Sequence, residues 1–172
     1  MKTIGFYAGS FDPITRGHLD VIRQALTLFD TVVIGVGRNA AKAGMFTPQE
    51  RVEMIAEACA QMFPVDRSRI QVTRYEGGMA AAARKASATH MVRAFRQVSD
   101  FNDEFAIHGA MDRVAQDLPL VYLICQSKYL HVSSSMAREL SRIDEDVDWI
   151  VTPGVAARLY RVCSQTRVDA NR

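Results

Sequence analysis

The sequence has no uninterrupted apolar run of about 18 residues, the length that a membrane-spanning helix needs. Its cysteines are few. Cys59, Cys125 and Cys163 are odd in number and far apart, which fits neither a disulfide framework nor a zinc site. The net charge of +2 is too small to favour a nucleic-acid partner. These absences predict a cytoplasmic protein with reduced thiols, which binds neither nucleic acid nor a membrane.

Length and composition predict one domain with a core of its own. The chain has 172 residues, and no linker, repeat or low-complexity segment interrupts it. An apolar run begins at Ile4, so we expect no signal peptide. The domain is predicted to span residues 1–163, and the polar segment 164–172 is predicted to be a frayed tail.

Short apolar or β-branched runs alternate along the chain with amphipathic segments. Thr47-Pro48-Gln49-Glu50 is a capping box with proline at the first helical position, and Ser99 or Asp100 would cap a later, long helix. This alternation predicts an α/β fold with a five-stranded parallel sheet and helices on both faces. The predicted strands are 4–7, 31–36, 70–73, 89–92 and 120–124, and helices are predicted to begin near 17, 48, 79, 100, 134 and 154.

The stretch from Tyr7 to His18 joins the first strand to the first helix through a glycine-bearing loop. A strand, a tight loop and a helix start aim backbone N–H groups and the helix dipole at one point, where phosphate binds well. Gly9 is predicted to let a ligand approach the backbone, and Gly17 to permit a bend that a side chain would resist. Ser10 and His18 are the hydrogen-bonding side chains that we expect to meet an anion there.

Other polar residues also follow predicted strands. Lys42 follows the second strand, Arg93 and Arg96 follow the fourth, and Ser133 to Ser135 follow the fifth. Ligands of parallel α/β sheets bind beyond the carboxyl ends of the strands. The sequence therefore predicts one anion-binding site that collects all of these groups, with arginine forks suited to phosphate.

The segment Gly9-Ser10-Phe11-Asp12-Pro13-Ile14-Thr15-Arg16-Gly17-His18 resembles the signature G-[ST]-F-D-P-x-[TH]-x-G-H of the nucleotidylyltransferases. The resemblance implies a Rossmann-like nucleotidylyltransferase fold. It also implies that the Ser10 and His18 side chains hold phosphate groups while a nucleotidyl unit is transferred.

Further segments resemble one branch of that family, the bacterial phosphopantetheine adenylyltransferases. Residues 42–51 resemble K-x-P-x-F-[ST]-x-x-E-R, with Gly44 in place of the proline. Residues 92–104 resemble [LV]-R-G-[LI]-R-x-x-x-D-[FL]-x-x-E, with Ala94 in place of the glycine. This resemblance implies transfer of the adenylyl group of ATP to 4′-phosphopantetheine, which yields dephospho-coenzyme A and pyrophosphate in coenzyme A biosynthesis.

The resemblance also implies roles for individual residues. Catalysis would depend on His18, Ser10, Lys42 and Arg93. Mg²⁺ would bind mainly through the ATP phosphates, with no metal ligand from the protein, and the protein would be a homo-oligomer, a hexamer. The implied ATP-binding residues are Ser10, Phe11, Gly17, His18, Arg96, Glu104, Val132, Ser133, Ser134 and Ser135, and the implied acceptor-binding residues are Ser10, Lys42, Met79 and Arg93, with Tyr7 near the acceptor arm or the base.

Two alternatives stay open at the level of sequence. One is another adenylyl- or cytidylyltransferase, for example one that acts on nicotinate mononucleotide. The other is a nucleotide-binding regulator without catalysis, which the departures at Ala94 and Met111 leave open and the presence of both Ser10 and His18 argues against. The family's Met-Asn-Arg triplet aligns with Ala110-Met111-Asp112, or after a one-residue slip with 111–113, so its role is not assigned here.

Overall fold

The computed structural model describes residues 2–37 and 44–170. Strands and helices alternate along this part of the chain, as predicted. The strands are β1 Ile4–Gly9, β2 Thr31–Gly37, β3 Ile70–Tyr75, β4 His90–Phe95 and β5 Leu120–Ile124. The helices are α1 Arg16–Leu28, α2 Pro48–Met62, α3 Met79–Lys85, α4 Val98–Val114, α5 Ser134–Arg142 and α6 Pro153–Ala170.

The sheet has five strands in the order β3-β2-β1-β4-β5, and every neighbouring pair is parallel. The predicted five-stranded parallel sheet is therefore confirmed. The chain winds outward from β1 through β2 to β3, then crosses back to place β4 on the other side of β1. The order of the strands thus reverses between β1 and β4, and a crevice opens beyond their carboxyl ends.

Alternation along the strands divides the core into two layers. Tyr7 of β1 and Ile34 of β2 point into a layer with residues of α1, α2, α5 and α6. Phe6 of the same strand and Val33 of β2 point into a second layer with residues of α3 and α4. Helices therefore cover both faces of the sheet, as predicted, because successive side chains of a strand face opposite sides.

The capping box predicted for α2 is confirmed. The Thr47 hydroxyl accepts from the Glu50 N–H at 3.3 Å, and the Glu50 carboxylate accepts from the Thr47 N–H at 2.8 Å. These bonds satisfy backbone donors that the first turn leaves without helical partners. Within the described residues no helix is both long and apolar enough to cross a membrane.

Most predicted boundaries differ from the structure by one or two residues, and three differences bear on the site or on the end of the chain. Strand β4 runs to Phe95, because its last residues pair with β5, so Arg93 lies within the strand rather than after it. Helix α4 begins after Gln97, and Asp100 is the residue that reaches back from its first turn rather than its N-cap. Helix α6 continues to Ala170, through most of the segment that was predicted to be a frayed tail.

Candidate active site

A cleft of about 330 Å³ lies where the strand order reverses, beyond the carboxyl ends of β1 and β4. The loop after β1, the start of α1, the end of β4, one side of α4 and the start of α5 surround it. The predicted convergence at one sheet edge is therefore seen in the described residues. Predicted site residues that line the cleft are Tyr7, Gly9, Ser10, Phe11, Gly17, His18, Arg93, Arg96, Glu104, Ser133, Ser134 and Ser135.

The loop after β1 is shaped by the buried ring of Phe11. Phe11 has a left-handed φ of 47° and packs edge-on against His18, with ring centroids 5.0 Å apart. A Cβ at Gly9 would lie 2.8 Å from the Phe11 ring. The interpretation of Gly9 as a point of ligand approach is therefore incomplete, since glycine is required there by the packing of Phe11.

The interpretation of Gly17 as a bend is wrong. Gly17 lies inside α1 without a left-handed φ, and a Cβ there would meet its nearest heavy atom at 3.6 Å, an ordinary contact. The described protein atoms thus do not require glycine at this position. Gly17 does line the cleft, so a side chain would take up space that a ligand can use.

His18 is held as a hydrogen-bond donor by the start of α1. Thr15 caps the helix, and the imidazole Nδ1 of His18 accepts from the Thr15 backbone N–H at 3.1 Å. A backbone N–H can only donate, so Nδ1 carries no proton and the neutral ring carries its proton on Nε2. Burial, with a smaller contribution from the positive charge of Arg96, lowers the pKa of His18 to about 4. At neutral pH this residue therefore presents an uncharged Nε2–H donor.

Arg93 forms a forked ion pair with Glu104. Its Nε donates to Glu104 Oε2 at 2.7 Å, and its Nη2 donates to Oε1. Both side chains are mostly buried, where such a pair needs good geometry to offset the loss of hydration. The remaining nitrogen, Nη1, makes only a long contact of 3.4 Å to the Ala8 carbonyl, so it keeps hydrogen-bonding capacity.

Arg96 is tied to α4 and to the segment before α5. Its backbone N–H donates to Asp100 Oδ2 at 2.9 Å, and its Nη1 donates to the Val132 carbonyl at 3.0 Å. Its Nε lies 3.4 Å from the Asp100 carboxylate. The two arginines of the cleft are thus each matched by a carboxylate from α4, which keeps this wall near electrical neutrality.

The three serines at the start of α5 have separate tasks. Ser133 caps the helix and accepts from the Met136 N–H at 3.1 Å. The Ser134 hydroxyl donates to the Pro13 carbonyl at 2.7 Å, which ties α5 to the loop after β1. The Ser135 hydroxyl accepts from Arg138 at 3.2 Å. Only the Ser134 O–H is used as a donor in these bonds, so the Ser133 and Ser135 O–H groups can still donate to an anion, together with first-turn N–H groups of α5.

Comparison with known proteins identifies the family. The model of the cytidylyltransferase-like family matches residues 6–140. A phosphopantetheine adenylyltransferase of Geobacter sulfurreducens is 38% identical over 156 residues, which cover 91% of this chain and 92% of that protein. The phosphopantetheine adenylyltransferase of an Azoarcus species is 37% identical over 164 residues, 95% of this chain and 98% of that protein.

The chain belongs to the phosphopantetheine adenylyltransferase family.

Solved structures agree with this assignment at the level of fold. A putative nicotinate-nucleotide adenylyltransferase from Vibrio parahaemolyticus superposes with a TM-score of 0.66 at 17% identity, over 92% of this chain and 91% of that one. A bifunctional NMN adenylyltransferase/ADP ribose pyrophosphatase from Francisella tularensis gives a TM-score of 0.71 at 15% identity, over 99% of this chain and 54% of that one. The Rossmann-like nucleotidylyltransferase fold implied by the sequence is therefore confirmed.

Some residues that the family resemblance singled out are not brought into this cleft. Met79 begins α3 and packs, half-buried, against the second core layer. The Val132 side chain is buried in the first layer, and only its carbonyl takes part, through Arg96. Met111 is a core residue and Asp112 is exposed beside His108. Lys42 lies outside the described residues.

Sequence reasoning also missed residues that shape the site of this family member. Thr15 determines which ring nitrogen of His18 carries the proton. The sequence feature that could have revealed this is a threonine three residues before the histidine, which is the spacing of a capping box. Cys125 lines the cleft, and its place directly after β5 obeys the strand-end rule. Burial, helped by the nearby charge of Asp20, raises the pKa of this thiol to about 11, so it is uncharged at neutral pH.

Proposed function

We propose that this chain transfers the adenylyl group of ATP to 4′-phosphopantetheine, giving dephospho-coenzyme A and pyrophosphate. The observation that carries the proposal is the uncharged Nε2–H donor of His18, held beside the Ser10 loop in a cleft bordered by arginines. The choice of acceptor is supported by relatives of 36–38% identity that carry the name phosphopantetheine adenylyltransferase.

The reaction needs orientation and charge stabilisation rather than a nucleophile from the protein. An oxygen of the acceptor phosphate attacks the α-phosphorus of ATP, a new P–O bond forms, and the bond to the β-phosphate oxygen breaks. Pyrophosphate leaves with that electron pair. His18 Nε2–H, the Ser10 hydroxyl and the Gly17 backbone N–H are the donors that would stabilise the charge on the α-phosphate oxygens during this step.

The two arginines divide the cleft between the substrates. Arg96 and Glu104, together with the start of α5, would face ATP. Arg93 Nη1, which makes only a long contact with the Ala8 carbonyl, would donate a hydrogen bond to the acceptor phosphate. A guanidinium that already holds one carboxylate can still bind a phosphate through its remaining N–H groups. Lys42 and Met79 are proposed, from the resemblance alone, as further acceptor-binding residues.

Mg²⁺ would bind chiefly through the phosphates of ATP, where it would shield their charge. Among the described residues no group of three His, Cys, Asp or Glu side chains is placed to hold a metal ion. The carboxylates of the cleft, Asp100 and Glu104, are already engaged by arginines, which suits a metal carried by the nucleotide. A homohexamer is proposed on the resemblance alone, and native mass spectrometry would test it. A cytoplasmic location is proposed from the few, widely spaced cysteines.

Pyrophosphate release with a set of acceptors tests the proposed reaction. Purified protein with ATP and Mg²⁺ is given 4′-phosphopantetheine or nicotinate mononucleotide, and with CTP it is given glycerol 3-phosphate. We expect rapid release with 4′-phosphopantetheine and at least tenfold slower release with the others. An equal or reversed preference would overturn the proposed acceptor. ATP binding without turnover of any acceptor would support a non-catalytic regulator instead.

A further inference from the structure

Arg51 is a buried arginine of α2 that does not line the cleft, yet it contacts the loop that does. Only 6% of its surface is exposed. Its Nε donates to the Phe46 carbonyl at 2.8 Å, and its Nη1 donates to the Ser10 carbonyl at 3.3 Å. A buried guanidinium must be matched by acceptors, and here one of these acceptors belongs to the loop after β1.

Asp12 holds this guanidinium in place. Its carboxylate accepts from the backbone N–H groups of Met45 at 2.9 Å and Phe46 at 3.0 Å, and Oδ1 lies 3.2 Å from Arg51 Nε. From the other side, Arg138 of α5 donates to the Asp12 backbone carbonyl. The loop after β1 is thus fastened to α2 and to α5, and Arg51 is fixed by groups other than Ser10.

The contact with Ser10 sets the direction of the next amide. The Ser10–Phe11 peptide is trans, so its carbonyl and its N–H point in opposite directions. The carbonyl faces Arg51, so the Phe11 N–H points away from that contact, and Phe11 is one of the residues that line the cleft. No atom of the described residues accepts a hydrogen bond from this N–H.

The glycine at position 44 lies close to this guanidinium. A Cβ there would lie 1.9 Å from Arg51 Nη2 and 3.2 Å from Asp12 Oδ2. The guanidinium cannot simply swing aside, because Asp12 and Phe46 hold it. The motif that residues 42–51 resemble has proline at position 44 beside the same arginine, so the close contact with Gly44 accompanies the position of the guanidinium and does not decide it.

We infer that Arg51 is a positioning residue that holds the Ser10–Phe11 peptide so that the Phe11 N–H is presented to a phosphate oxygen of the nucleotide. The inference rests on the proposed function only in that the cleft binds ATP, and it does not depend on which acceptor is used. A preset amide donor acts without reorganisation during the reaction, so turning it away costs rate.

The test follows the Phe11 amide directly, by ¹H–¹⁵N NMR of protein labelled with ¹⁵N-phenylalanine and titrated with a non-hydrolysable ATP analogue. In the wild type we expect the Phe11 amide signal to move on binding. In Arg51→Met we expect less than half of that movement. We also expect kcat to fall by about 10- to 10²-fold, less than the loss of an entire donor, and the acceptor KM to change by less than about twofold.

Two further variants separate positioning from stability. Arg51→Lys keeps the positive charge but has a single amino group instead of a fork, so it cannot serve both the Phe46 and the Ser10 carbonyls. It should lower kcat as Arg51→Met does, and it provides the test if Arg51→Met does not fold. Arg69→Met is the matched control. Arg69 donates to the Leu26, Phe29 and Asp30 carbonyls at the opposite end of the sheet, so its loss should lower the melting temperature and leave kcat unchanged.

The outcomes distinguish the inference from the proposed function. A Phe11 amide that does not respond to the analogue in the wild type, or responds equally in Arg51→Met, would overturn the role of Arg51. The role of Arg51 would also be overturned if Arg51→Met and Arg69→Met lost kcat in the same proportion to their loss of stability. A protein that passes these tests but prefers another acceptor would support the role of Arg51 while overturning the proposed acceptor.

Discussion

His18 shows how one hydrogen bond decides the chemistry of a side chain. The Thr15 backbone N–H occupies Nδ1, so the ring offers Nε2–H to the cleft. Burial keeps the ring uncharged at neutral pH by lowering its pKa to about 4. The same residue thus takes the place that Glu or Gln usually has in a capping box, and it is the residue that we propose as a donor for the reaction.

Replacing His18 with alanine should lower kcat by about 10²–10³, because a donor aimed at the α-phosphate contributes more in the transition state than in the ground state. ATP affinity, measured by calorimetry, should change modestly. The matched control is Glu50→Ala, which removes the equivalent residue from the capping box of α2, a residue that does not line the cleft. It should lower the melting temperature without changing kcat. A kcat within twofold of wild type for His18→Ala would show that His18 is not catalytic.

The protonation of His18 can be observed directly by ¹⁵N NMR of the imidazole. We expect a neutral ring with its proton on Nε2 from pH 8 down to pH 5, since the pKa lies near 4. The folded pKa is below the unfolded value of about 6.5, so this group's contribution to stability is complete above pH 6.5 and is lost as the pH falls toward 4. A midpoint near pH 6.5, or a proton on Nδ1, would contradict the structure.

At the scale of elements, the start of α1 is held to the loop after β5 by Asp20. Its buried carboxylate accepts from the Gln126 N–H at 3.0 Å and from Gln24 at 2.9 Å, and it pairs with Arg23. Burial alone would raise the pKa of Asp20, but the hydrogen bonds from Gln126, Arg23 and Gln24 hold it below its ordinary value. The loop beside Cys125 and Gly17 is thereby fixed against the helix that carries His18.

Substituting Asp20 with asparagine should cost about 1–3 kcal/mol of stability at pH 7, because an amide cannot serve all of these donors. Since the folded pKa is lowered, the stabilisation is present above the unfolded pKa of about 3.9 and is lost as the pH falls through the folded value. Urea unfolding of both proteins at pH 7 and pH 3 should therefore show a smaller difference at pH 3.

Asp117→Asn is the control for that comparison, because Asp117 pairs with Arg84 on the surface. It should lower the stability much less than Asp20→Asn does, because both partners of this ion pair are exposed to water. A difference for Asp20→Asn that is as small as this, or that does not shrink in acid, would show that the carboxylate does not fasten the loop.

Helices and strands could be predicted where the sequence pattern is local. The prediction failed where contacts between distant residues determine the structure. The capping box of α2 and the five strands follow from short-range signals. Arg93 was expected after β4 because the predicted strand ended at Val92. The structure accommodates it by pairing it with Glu104, eleven residues away on α4. No pattern within a strand reveals that partner.

At the scale of the whole molecule, the site follows from the winding of the sheet. Parallel strands bring Ser10, Arg93, Arg96 and the serines of α5 to one edge, and the sequence alone was enough to predict that convergence. Three features could not be predicted from the sequence, because they depend on contacts between residues far apart in the chain. They are the reversal of strand order between β1 and β4, the left-handed φ of Phe11, and the contact of Arg51 with the loop after β1.

The central claim is that an oxygen of the acceptor phosphate attacks the α-phosphorus of ATP in this cleft. The most direct measurement uses 4′-phosphopantetheine with an ¹⁸O-labelled phosphate, ATP and Mg²⁺, and follows the products by ³¹P NMR and mass spectrometry. We predict dephospho-coenzyme A that retains all of the label and pyrophosphate that contains none. Label in pyrophosphate, or no dephospho-coenzyme A under conditions where another acceptor is adenylylated, would contradict the account.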